Sequence, residues 1–369
     1  MFSNPNPPVR FAAAYDVLRQ AIKDRAFPGC AFGVLANNEV ILADALGRFT
    51  YEEFSPSATP QTVFDIASIT KVVSTTAAAM LLHQRGRLEL EMPLAELLPG
   101  FVEGRAAADP ARQITLRHLL AHNSGLPGYI EFFRTAATAE ALLKACLALP
   151  LEAVPGVRAE YSDPGFILLG KALESHTGEA LATWVRREIF LPLGLASTCF
   201  SPPPAAHTTI PPTEEDTTFR HRRIQGEVQD ENAWLLGGAA GHAGLFSNVP
   251  DLLCFVREIL SAAANSADAR LFNSATIELF ARRQGPAGSS RALGWDTPST
   301  NSSSGSHFSS HSIGHLGFSG TSLWIDLEVG IAIALLTNRT WPDRGGPDRK
   351  SPLIRQVRPA FHDAIREAL

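Results

Sequence analysis

Several signatures that would assign a function directly are missing from this sequence of 369 residues. No stretch approaches the roughly 18 apolar residues that a membrane-spanning helix needs. The formal net charge is −5 and no block of basic residues occurs, which argues against nucleic acid as a partner. Neither G-x-S-x-G nor G-x-x-x-x-G-K-[ST] is present, so the motifs of α/β-hydrolases and of P-loop nucleotide sites are excluded.

Cysteine is scarce and its spacing is uninformative. The four cysteines lie in largely apolar stretches without a C-x-x-C pair, which predicts buried free thiols rather than disulfides or a metal site (Cys30, Cys146, Cys199 and Cys254). Residues 1–8 lack the charged start and the apolar core of a signal peptide. We therefore expect a cytoplasmic protein as the sequence is written, and a periplasmic one if an export signal has been removed.

The order of predicted elements indicates the fold class. Strand patterns occur near both ends of the chain and helical periods lie between them. The expected helices cover about residues 11–25, 139–149, 167–176, 252–262 and 351–368, and the expected strands cover about 30–35, 40–46, 315–327 and 330–338, with Asn37 and Asn38 in a hairpin turn. This predicts an α+β fold in which one antiparallel sheet is built from both chain ends and flanked by terminal helices. Residues 1–67 and 290–369 would form that sheet domain, and residues 68–289 an inserted, mostly helical domain.

Lysine is also rare, which makes one of its positions informative. Of the five lysines, only Lys71 has a serine three residues before it, in Ser68-Ile69-Thr70-Lys71. Asp65 is a plausible N-cap, and apolar residues continue a helix beyond Lys71. Residues i and i+3 share a helix face, so the lysine amine can reach the serine hydroxyl. This pattern predicts a nucleophile with its own base near a helix N-terminus, where free N–H groups can stabilise an oxyanion.

Two further motifs follow in the sequence. Tyr161-Ser162-Asp163 precedes Pro164 and Gly165, which predicts a turn that presents the phenol, and a nearby ammonium would lower the pKa of that phenol. His315-Leu316-Gly317 precedes Phe318 and a small-residue run that predicts a strand against which a substrate can lie.

Together, and in this order, the three motifs resemble those of the serine β-lactamase and penicillin-binding protein superfamily. The resemblance is closest to class C β-lactamases, D-alanyl-D-alanine carboxypeptidases and family VIII esterases. It extends from about Gly29 to Arg339 and includes residues 114–127, 241–247 and 292–297. It implies an active site in the cleft between the sheet domain and the helical domain.

The resemblance also implies roles for individual residues. Ser68 would form an acyl-enzyme, and Lys71 and Tyr161 would share the role of base, in an order that the sequence leaves open. If Asp163 pairs with Lys71, the ammonium is favoured and Tyr161 carries more of the proton transfer. The N–H groups of Ser68 and Phe318 would form the oxyanion hole, and His315 would contact the substrate or tune Tyr161.

The expected substrate is a small molecule, and no cofactor or metal is required. Substrate contacts are expected from Asp163, Gly317, His242 and Arg339. Asp163 replaces an asparagine and His315 replaces the lysine of β-lactamases, so an anchor for a substrate carboxylate is lost. This favours a carboxylesterase on small acyl esters with weak β-lactamase activity. A D-alanyl-D-alanine carboxypeptidase, a β-lactamase and a non-catalytic binding protein on the same fold are the alternatives, and the oligomeric state is left open.

Two other features allow alternative interpretations. His118 and His122 have a spacing that can bind zinc on a helix, and His307, His311 and His315 repeat it in a serine-rich loop. Residues 299–312 form either a flap over the cleft or a surface insertion, and residues 231–244 form either a loop at the site or a helix-packing turn.

Overall fold

The computed structural model describes residues 9–345 and 354–369. The strands of these residues are β1 (Gly29–Ala36), β2 (Glu39–Gly47), β3 (Phe64–Asp65), β4 (Cys199–Phe200), β5 (Glu214–Asp216), β6 (Arg222–Ile224), β7 (Leu245–Ser247), β8 (Ser312–Leu316), β9 (Ser322–Asp326) and β10 (Ile331–Thr337). The helices are α1 (Ala12–Lys23), α2 (Ala77–Gln84), α3 (Leu94–Leu97), α4 (Leu116–Leu120), α5 (Ala139–Leu147), α6 (Asp163–Thr177), α7 (Leu181–Val185), α8 (Leu191–Leu193), α9 (Glu231–Leu235), α10 (Val249–Ala263), α11 (Ser274–Ala281) and α12 (Ile354–Glu367).

The main sheet is assembled from both ends of the chain. Within the described residues its strand order is β2-β1-β10-β9-β8, and each neighbouring pair is antiparallel. The β1–β2 hairpin turns through Asn37 and Asn38, whose φ angles of 52° and 63° lie in the left-handed region that a tight hairpin requires. The predicted sheet, its hairpin and its antiparallel order are confirmed.

Both faces of this sheet are buried. Phe32, Trp324 and Ile333 belong to one core cluster together with residues of the terminal helices α1 and α12. The opposite face packs on α10, where a side chain at Gly33 would stand 2.5 Å from Val249. Because every strand residue of β1 and β10 is buried, these strands are nearly continuous apolar runs in the sequence.

The segment between the two ends is mainly helical and forms the larger core cluster. Two small sheets, β3-β7-β4 and β5-β6, also lie within this described part of the chain. Pairing of Asp65 with Phe246 brings β7 next to the start of the Ser68 segment. The α+β class is therefore confirmed, while the division into two domains at residues 67/68 and 289/290 stays a prediction.

Several local predictions were wrong. The single strand expected at residues 315–327 is two strands, because Gly317 N donates to Thr321 O across a turn in which Gly320 has a φ of 99°. The turn expected at Pro164 and Gly165 is the first turn of α6, capped by the Ser162 hydroxyl, which accepts from Gly165 N. Residues 231–235 form α9 rather than a loop, although Glu231 and Ala243 of the 231–244 segment do line the cavity beside Ser68.

The serine-rich segment is not a flap over the cleft. Ser306 N donates to the carboxylate of Asp363 on α12, and the Phe308 ring lies 6.0 Å from the Trp324 ring. This places the segment beside the terminal helix, on the face of the sheet that α12 covers. The surface-insertion interpretation is the one that the structure supports.

The ends of the described region limit two other predictions. The expectation for residues 1–8 and the first residues of the closing helix, 351–353, lie outside the described residues. The remainder of the closing helix is confirmed as α12. None of the helices in residues 9–345 and 354–369 combines the length and apolar character that crossing a bilayer requires.

Candidate active site

Ser68 lies in a short 3₁₀ turn, Ala67–Ile69, directly after β3. Ala67 has a φ of 47°, a conformation that alanine rarely adopts, and its N–H donates to the Asp65 carboxylate at 2.8 Å. The second oxygen of Asp65 accepts from Gln229 N at 2.8 Å. Asp65 therefore holds the bend before Ser68, although the predicted N-cap position itself is occupied by Ile66.

Lys71 is fully buried, and its ammonium group contacts three acceptors. Nζ donates to Ser68 Oγ at 3.1 Å, to Asp163 Oδ1 at 2.7 Å and to the His242 carbonyl at 3.0 Å. An ammonium has three N–H donors, so all of them are engaged. In this state Lys71 donates to Ser68 Oγ and cannot accept its proton.

The charge balance around Lys71 explains its protonation. Burial lowers the pKa of Lys71, but Asp163 and Tyr161 outweigh burial, so its pKa lies above the ordinary value. Asp163 therefore pairs with Lys71, the arrangement that was expected to favour the ammonium form of Lys71. The pair neutralises the extra negative charge that Asp163 brings to the site.

Tyr161 lies just before α6 and interacts with both reacting side chains. Lys71 Nζ lies 4.8 Å from the centre of its ring, and Lys71 and Ser68 both act to lower the pKa of its hydroxyl. The ammonium of Lys71 lowers the phenol pKa, as expected from the sequence, but it does not set the net direction of the shift. Burial raises the pKa of Tyr161 and Asp163 adds to this effect, which together exceed the opposing influence of Lys71. The resting site therefore holds a neutral phenol beside an ammonium.

Two buried histidines flank the phenol. The ring of His315, on β8, lies 5.8 Å from the Tyr161 ring, and the ring of His122 lies 4.7 Å from it. Burial and neighbouring cations lower the pKa of both histidines well below the ordinary value, so both are neutral near pH 7. Nδ1 of His315 bonds to the Leu316 carbonyl at 2.8 Å. At this position the site carries an uncharged ring instead of a cation.

The turn between β8 and β9, residues 317–321, faces Ser68. The Thr321 hydroxyl donates to the Ile66 carbonyl at 3.2 Å, and the Ser319 hydroxyl donates to the Asp65 carbonyl at 2.8 Å. A side chain at Gly317 would stand 2.5 Å from Ile66 O, so only glycine allows this approach. Ser68, Gly317 and Phe318 line one cavity as a result.

That cavity measures about 650 Å³. Asp163, His315, Arg339 and Tyr161 also line it, so the structure brings these candidate site residues together. Arg339 donates from Nε to the Phe318 carbonyl at 2.7 Å, and its guanidinium lies 4.6 Å from the centre of the Phe318 ring. Phe318 is 49% exposed, which gives the cavity an apolar wall beside a positive charge.

His242 occupies a different place from the one predicted. Its side chain is 1% exposed and bonds through Nε2 to Asp230 at 2.9 Å instead of lining the cavity. Burial raises the pKa of Asp230, but His242 outweighs this effect and the pKa is lowered to about 2. The group of His242 that reaches the site is its backbone carbonyl, which holds Lys71.

Comparison with known proteins agrees with this arrangement. Residues 15–354 match the sequence profile of the family described as Beta-lactamase. The chain belongs to the Beta-lactamase family. This membership confirms the resemblance drawn from the sequence and supports a hydrolase.

Proteins similar to this Beta-lactamase family member are named for several different activities. It is 30% identical to a putative D-alanyl-D-alanine carboxypeptidase of Salmonella typhi, covering 86% of this chain and 80% of the relative. It is 29% identical to an N-acetylmuramyl-L-alanine amidase of Bacillus subtilis (strain 168), covering 85% and 77%. Among solved structures, EstCE1, a hydrolase with promiscuous acyltransferase activity, superimposes with a TM-score of 0.74 at 23% identity, covering 96% of this chain and 99% of the other.

The alternative metal sites are not formed in this family member. Helix α4 ends at Leu120, so His118 and His122 do not share a helix, and His122 Nδ1 accepts from Ser162 N at 3.0 Å. Across residues 9–345 and 354–369, no group of three or more histidine, cysteine, aspartate or glutamate side chains is arranged to hold a metal. All four cysteines are free; Cys30 and Cys146 are buried, whereas Cys199 and Cys254 are only partly buried.

Sequence reasoning missed three arginines at the cavity. Arg291 stacks 5.2 Å from the centre of the Tyr161 ring, Arg344 pairs with Glu214 and Glu231, and Arg358 reaches the cavity from α12. Only Arg358 had a usable signal in the sequence. It shares the helical spacing of Phe361, His362 and Ile365, so it is a charged residue on the buried face of an amphipathic helix.

The Asp163–Lys71 pair predicts a distinctive pH dependence in this family member. The pKa values of Lys71 and Tyr161 are both raised, so a base forms only as pH rises, and kcat/KM for an ester should increase from pH 7 towards pH 9. Asp163→Asn removes the charge that raises both pKa values. The rise should therefore move to lower pH, which a kcat/KM profile measures.

Glu131→Gln is the matched control, because Glu131 also lines the cavity but pairs with Arg134. Its profile should coincide with that of the unmodified protein. A profile for Asp163→Asn that keeps the original midpoint would show that the pair does not set the protonation of the base.

Proposed function

We propose that this protein is a serine hydrolase that acts through an acyl-Ser68 intermediate, with small acyl esters as its preferred substrates. The observation that carries the proposal is the set of three hydrogen bonds from buried Lys71 to Ser68 Oγ, Asp163 and the His242 carbonyl. This arrangement keeps a positive charge 3.1 Å from the serine oxygen, where it stabilises the alkoxide that attack develops.

Acylation transfers one proton and exchanges one bond. The reactive form of the site is the one in which Tyr161 has lost its proton to solvent and is a phenolate. Ser68 Oγ attacks the ester carbonyl carbon while its proton passes to this phenolate oxygen. The ester C–O bond then breaks, and the same proton passes from Tyr161 to the departing alkoxide. Tyr161 is the base in this scheme because every N–H of Lys71 is already donated, which leaves Lys71 to stabilise the phenolate electrostatically.

In deacylation, water takes the place of Ser68 as the nucleophile, and Ser68 Oγ becomes the leaving group. Water attacks the acyl carbon and gives its proton to Tyr161, and the carbon–Ser68 bond breaks as that proton returns to Ser68 Oγ. The N–H groups of Ser68 and Phe318 would hold the oxyanion in both steps. No donor other than this chain's own groups is needed.

The preference for esters follows from the charges at the site. His315 is a neutral ring at the position from which a cation would hold a substrate carboxylate. Arg344 is engaged by Glu214 and Glu231, so it is not a ready replacement. The half-exposed rings of Phe318 and Tyr129 offer apolar surface for an acyl chain instead.

A peptidase or amidase is the second candidate. Arg339 lines the cavity beside Phe318, where it can receive a carboxylate. The names of the two relatives, a D-alanyl-D-alanine carboxypeptidase and an N-acetylmuramyl-L-alanine amidase, favour the same class. A substrate that carries a terminal carboxylate would distinguish this candidate from the esterase.

Comparison of three substrates tests the preference. We expect kcat/KM for p-nitrophenyl butyrate to exceed that for nitrocefin and for a D-Ala-D-Ala peptide by more than about tenfold. Loss of a charged partner for a carboxylate commonly costs roughly 2–5 kcal/mol of binding, which is the origin of the difference. Initial rates over a range of concentrations give kcat/KM for each.

The variant Arg339→Gln separates the two candidates. It should change kcat/KM for the ester by less than about threefold relative to the unmodified protein, because a neutral acyl chain needs no cation. If the peptide or nitrocefin is the better substrate, and Arg339→Gln raises KM for it alone, the protein is a peptidase or a β-lactamase and the ester preference is wrong.

A further inference from the structure

We propose that Arg358 is a positioning residue that orients the peptide group from which Phe318 N–H is donated to the oxyanion. The proposal rests on the acyl-Ser68 function proposed above. It concerns a side chain that comes from the C-terminal helix α12, far in sequence from Ser68, Lys71 and Tyr161.

Arg358 binds three carbonyls of one turn. Its side chain is 6% exposed, and Nη2 donates to the Gly317 carbonyl at 2.6 Å and to the Thr321 carbonyl at 2.8 Å. Nε donates to the Gly320 carbonyl at 3.3 Å. The carbonyls of Gly317, Gly320 and Thr321 therefore converge on a single buried guanidinium, whose planar set of donors suits such a cluster.

The Gly317 carbonyl is the important one, because it belongs to the same peptide group as Phe318 N–H. The peptide is trans, so its C=O and N–H point in opposite directions. Gly317 O accepts from Arg358 and also from Gly320 N at 3.0 Å, which uses both of its lone pairs. With the carbonyl fixed on the Arg358 side, the N–H must point away from Arg358.

In the described part of the chain, the N–H of Phe318 is not used by the protein itself. Among residues 9–345 and 354–369, no group accepts a hydrogen bond from Phe318 N. Gly317, Phe318 and Ser68 line the same cavity, so the amide is available to a ligand there. A free donor of fixed direction is what an oxyanion hole requires.

The opposite side of the turn is also fixed. The hydroxyls of Ser319 and Thr321 donate to the carbonyls of Asp65 and Ile66, just before Ser68. These bonds set the distance between the turn and the Ser68 segment. Arg358 sets the rotation of the Gly317–Phe318 peptide within it, so the two amide donors become a single rigid pair.

The charge of Arg358 adds to its geometric effect. Within the described residues no carboxylate pairs with Arg358, and burial together with Arg339 lowers its pKa to about 9, so it remains charged at neutral pH. A cationic donor polarises the carbonyl that it binds, which strengthens the donor at the other end of the same peptide. Loss of Arg358 should therefore weaken binding of the oxyanion more than binding of the substrate.

Arg358→Met tests this inference, because it keeps an apolar stem and removes every donor. We expect kcat for p-nitrophenyl butyrate to fall by about 10- to 100-fold, less than the loss of an oxyanion donor itself, while KM changes by less than about twofold. Affinity for a boronic acid that forms a tetrahedral adduct on Ser68 should fall by the same factor as kcat. Arg358→Lys, which keeps a charged donor, should recover part of kcat.

Arg366→Gln is the matched control. Arg366 is a mostly buried arginine on the same helix, paired with Asp326 at 3.4 Å. This variant should lower the Tm without changing kcat per active site, where active sites are counted by fluorophosphonate titration. Counting active sites also keeps the result for Arg358→Met interpretable if part of the protein is unfolded, and Arg358→Lys provides a second, milder variant.

The outcomes separate this inference from the function on which it rests. Unchanged kcat and unchanged boronic acid affinity in Arg358→Met, with normal labelling of Ser68, would overturn the role of Arg358 alone. A higher KM confined to substrates with a carboxylate, with unchanged kcat, would show direct substrate contact and would also overturn positioning. Absence of Ser68 labelling in the unmodified protein would overturn both proposals.

Discussion

Ser68→Ala is expected to lower kcat/KM for p-nitrophenyl butyrate by at least about 10⁴-fold, because the variant has no oxygen with which to form the acyl-enzyme. The free energy of unfolding should change by about 1 kcal/mol or less, since Ser68 borders the cavity and water can accept the bond that Lys71 donates. Steady-state kinetics and thermal unfolding measure the two quantities.

Ser74→Ala is the control for that variant. Ser74 lies on the same helical segment, three residues after Lys71, and its buried hydroxyl has no hydrogen-bond partner in the described part of the chain. It should retain nearly full activity. If Ser68→Ala kept more than a few per cent of the original rate, Ser68 would not be the nucleophile.

Tyr161→Phe should have the second largest effect, a fall in kcat of about 10²- to 10⁴-fold, because it removes the group that carries the proton in both steps. The ring remains to pack beside His122 and His315, so the Tm should change little. A pH profile should also lose its rise between pH 7 and pH 9, since no phenol is left to ionise.

Tyr15→Phe provides the comparison for Tyr161→Phe. Tyr15 is a buried tyrosine on α1 whose hydroxyl donates to Asp44, on the face of the sheet away from the cavity. It should lose stability and keep its rate. The opposite pattern, in which Tyr161→Phe is destabilised but retains its rate per folded molecule, would reveal a structural tyrosine.

The sequence was sufficient for the fold because its strongest patterns are local. The apolar runs of β1 and β10 predict strands that a sheet buries on both faces. The break between β8 and β9 was missed because the turn at residues 317–321, which has four small residues and Phe318, was interpreted as part of one strand. The close approach of Gly317 to Ile66 at this turn joins residues about 250 positions apart, which local patterns do not reveal.

In the candidate site, too, the contacts between residues close in sequence were predicted correctly, whereas effects that depend on the tertiary fold were not. Ser68 and Lys71 are three residues apart, so a helix was enough to bring them together. The sequence indicated that Lys71 lowers the pKa of Tyr161. The net shift is upward because burial outweighs Lys71, and no spacing reveals how much water the fold removes. His242 was assigned by its side chain, whereas its backbone carbonyl makes the contact.

Arg358 is a functional residue that the sequence could have indicated. A charged residue on the buried face of α12 signals a specific partner, because an unpaired charge is costly to bury. The partner itself is three backbone carbonyls of a distant turn, and backbone groups carry no sequence signature. The sequence could therefore have indicated that Arg358 matters without showing what it binds.

The most direct test of acyl transfer at Ser68 is to locate the covalent adduct. The protein is treated with a fluorophosphonate, digested with trypsin and analysed by mass spectrometry. Cleavage after Arg48 and Lys71 releases residues 49–71, which also contain Ser55 and Ser57, so fragment ions must assign the modified position. We predict one adduct, on Ser68, that is absent from Ser68→Ala and present in Ser74→Ala. An adduct on another residue, or none with any acyl donor, would contradict the mechanism and favour a binding protein on the same fold.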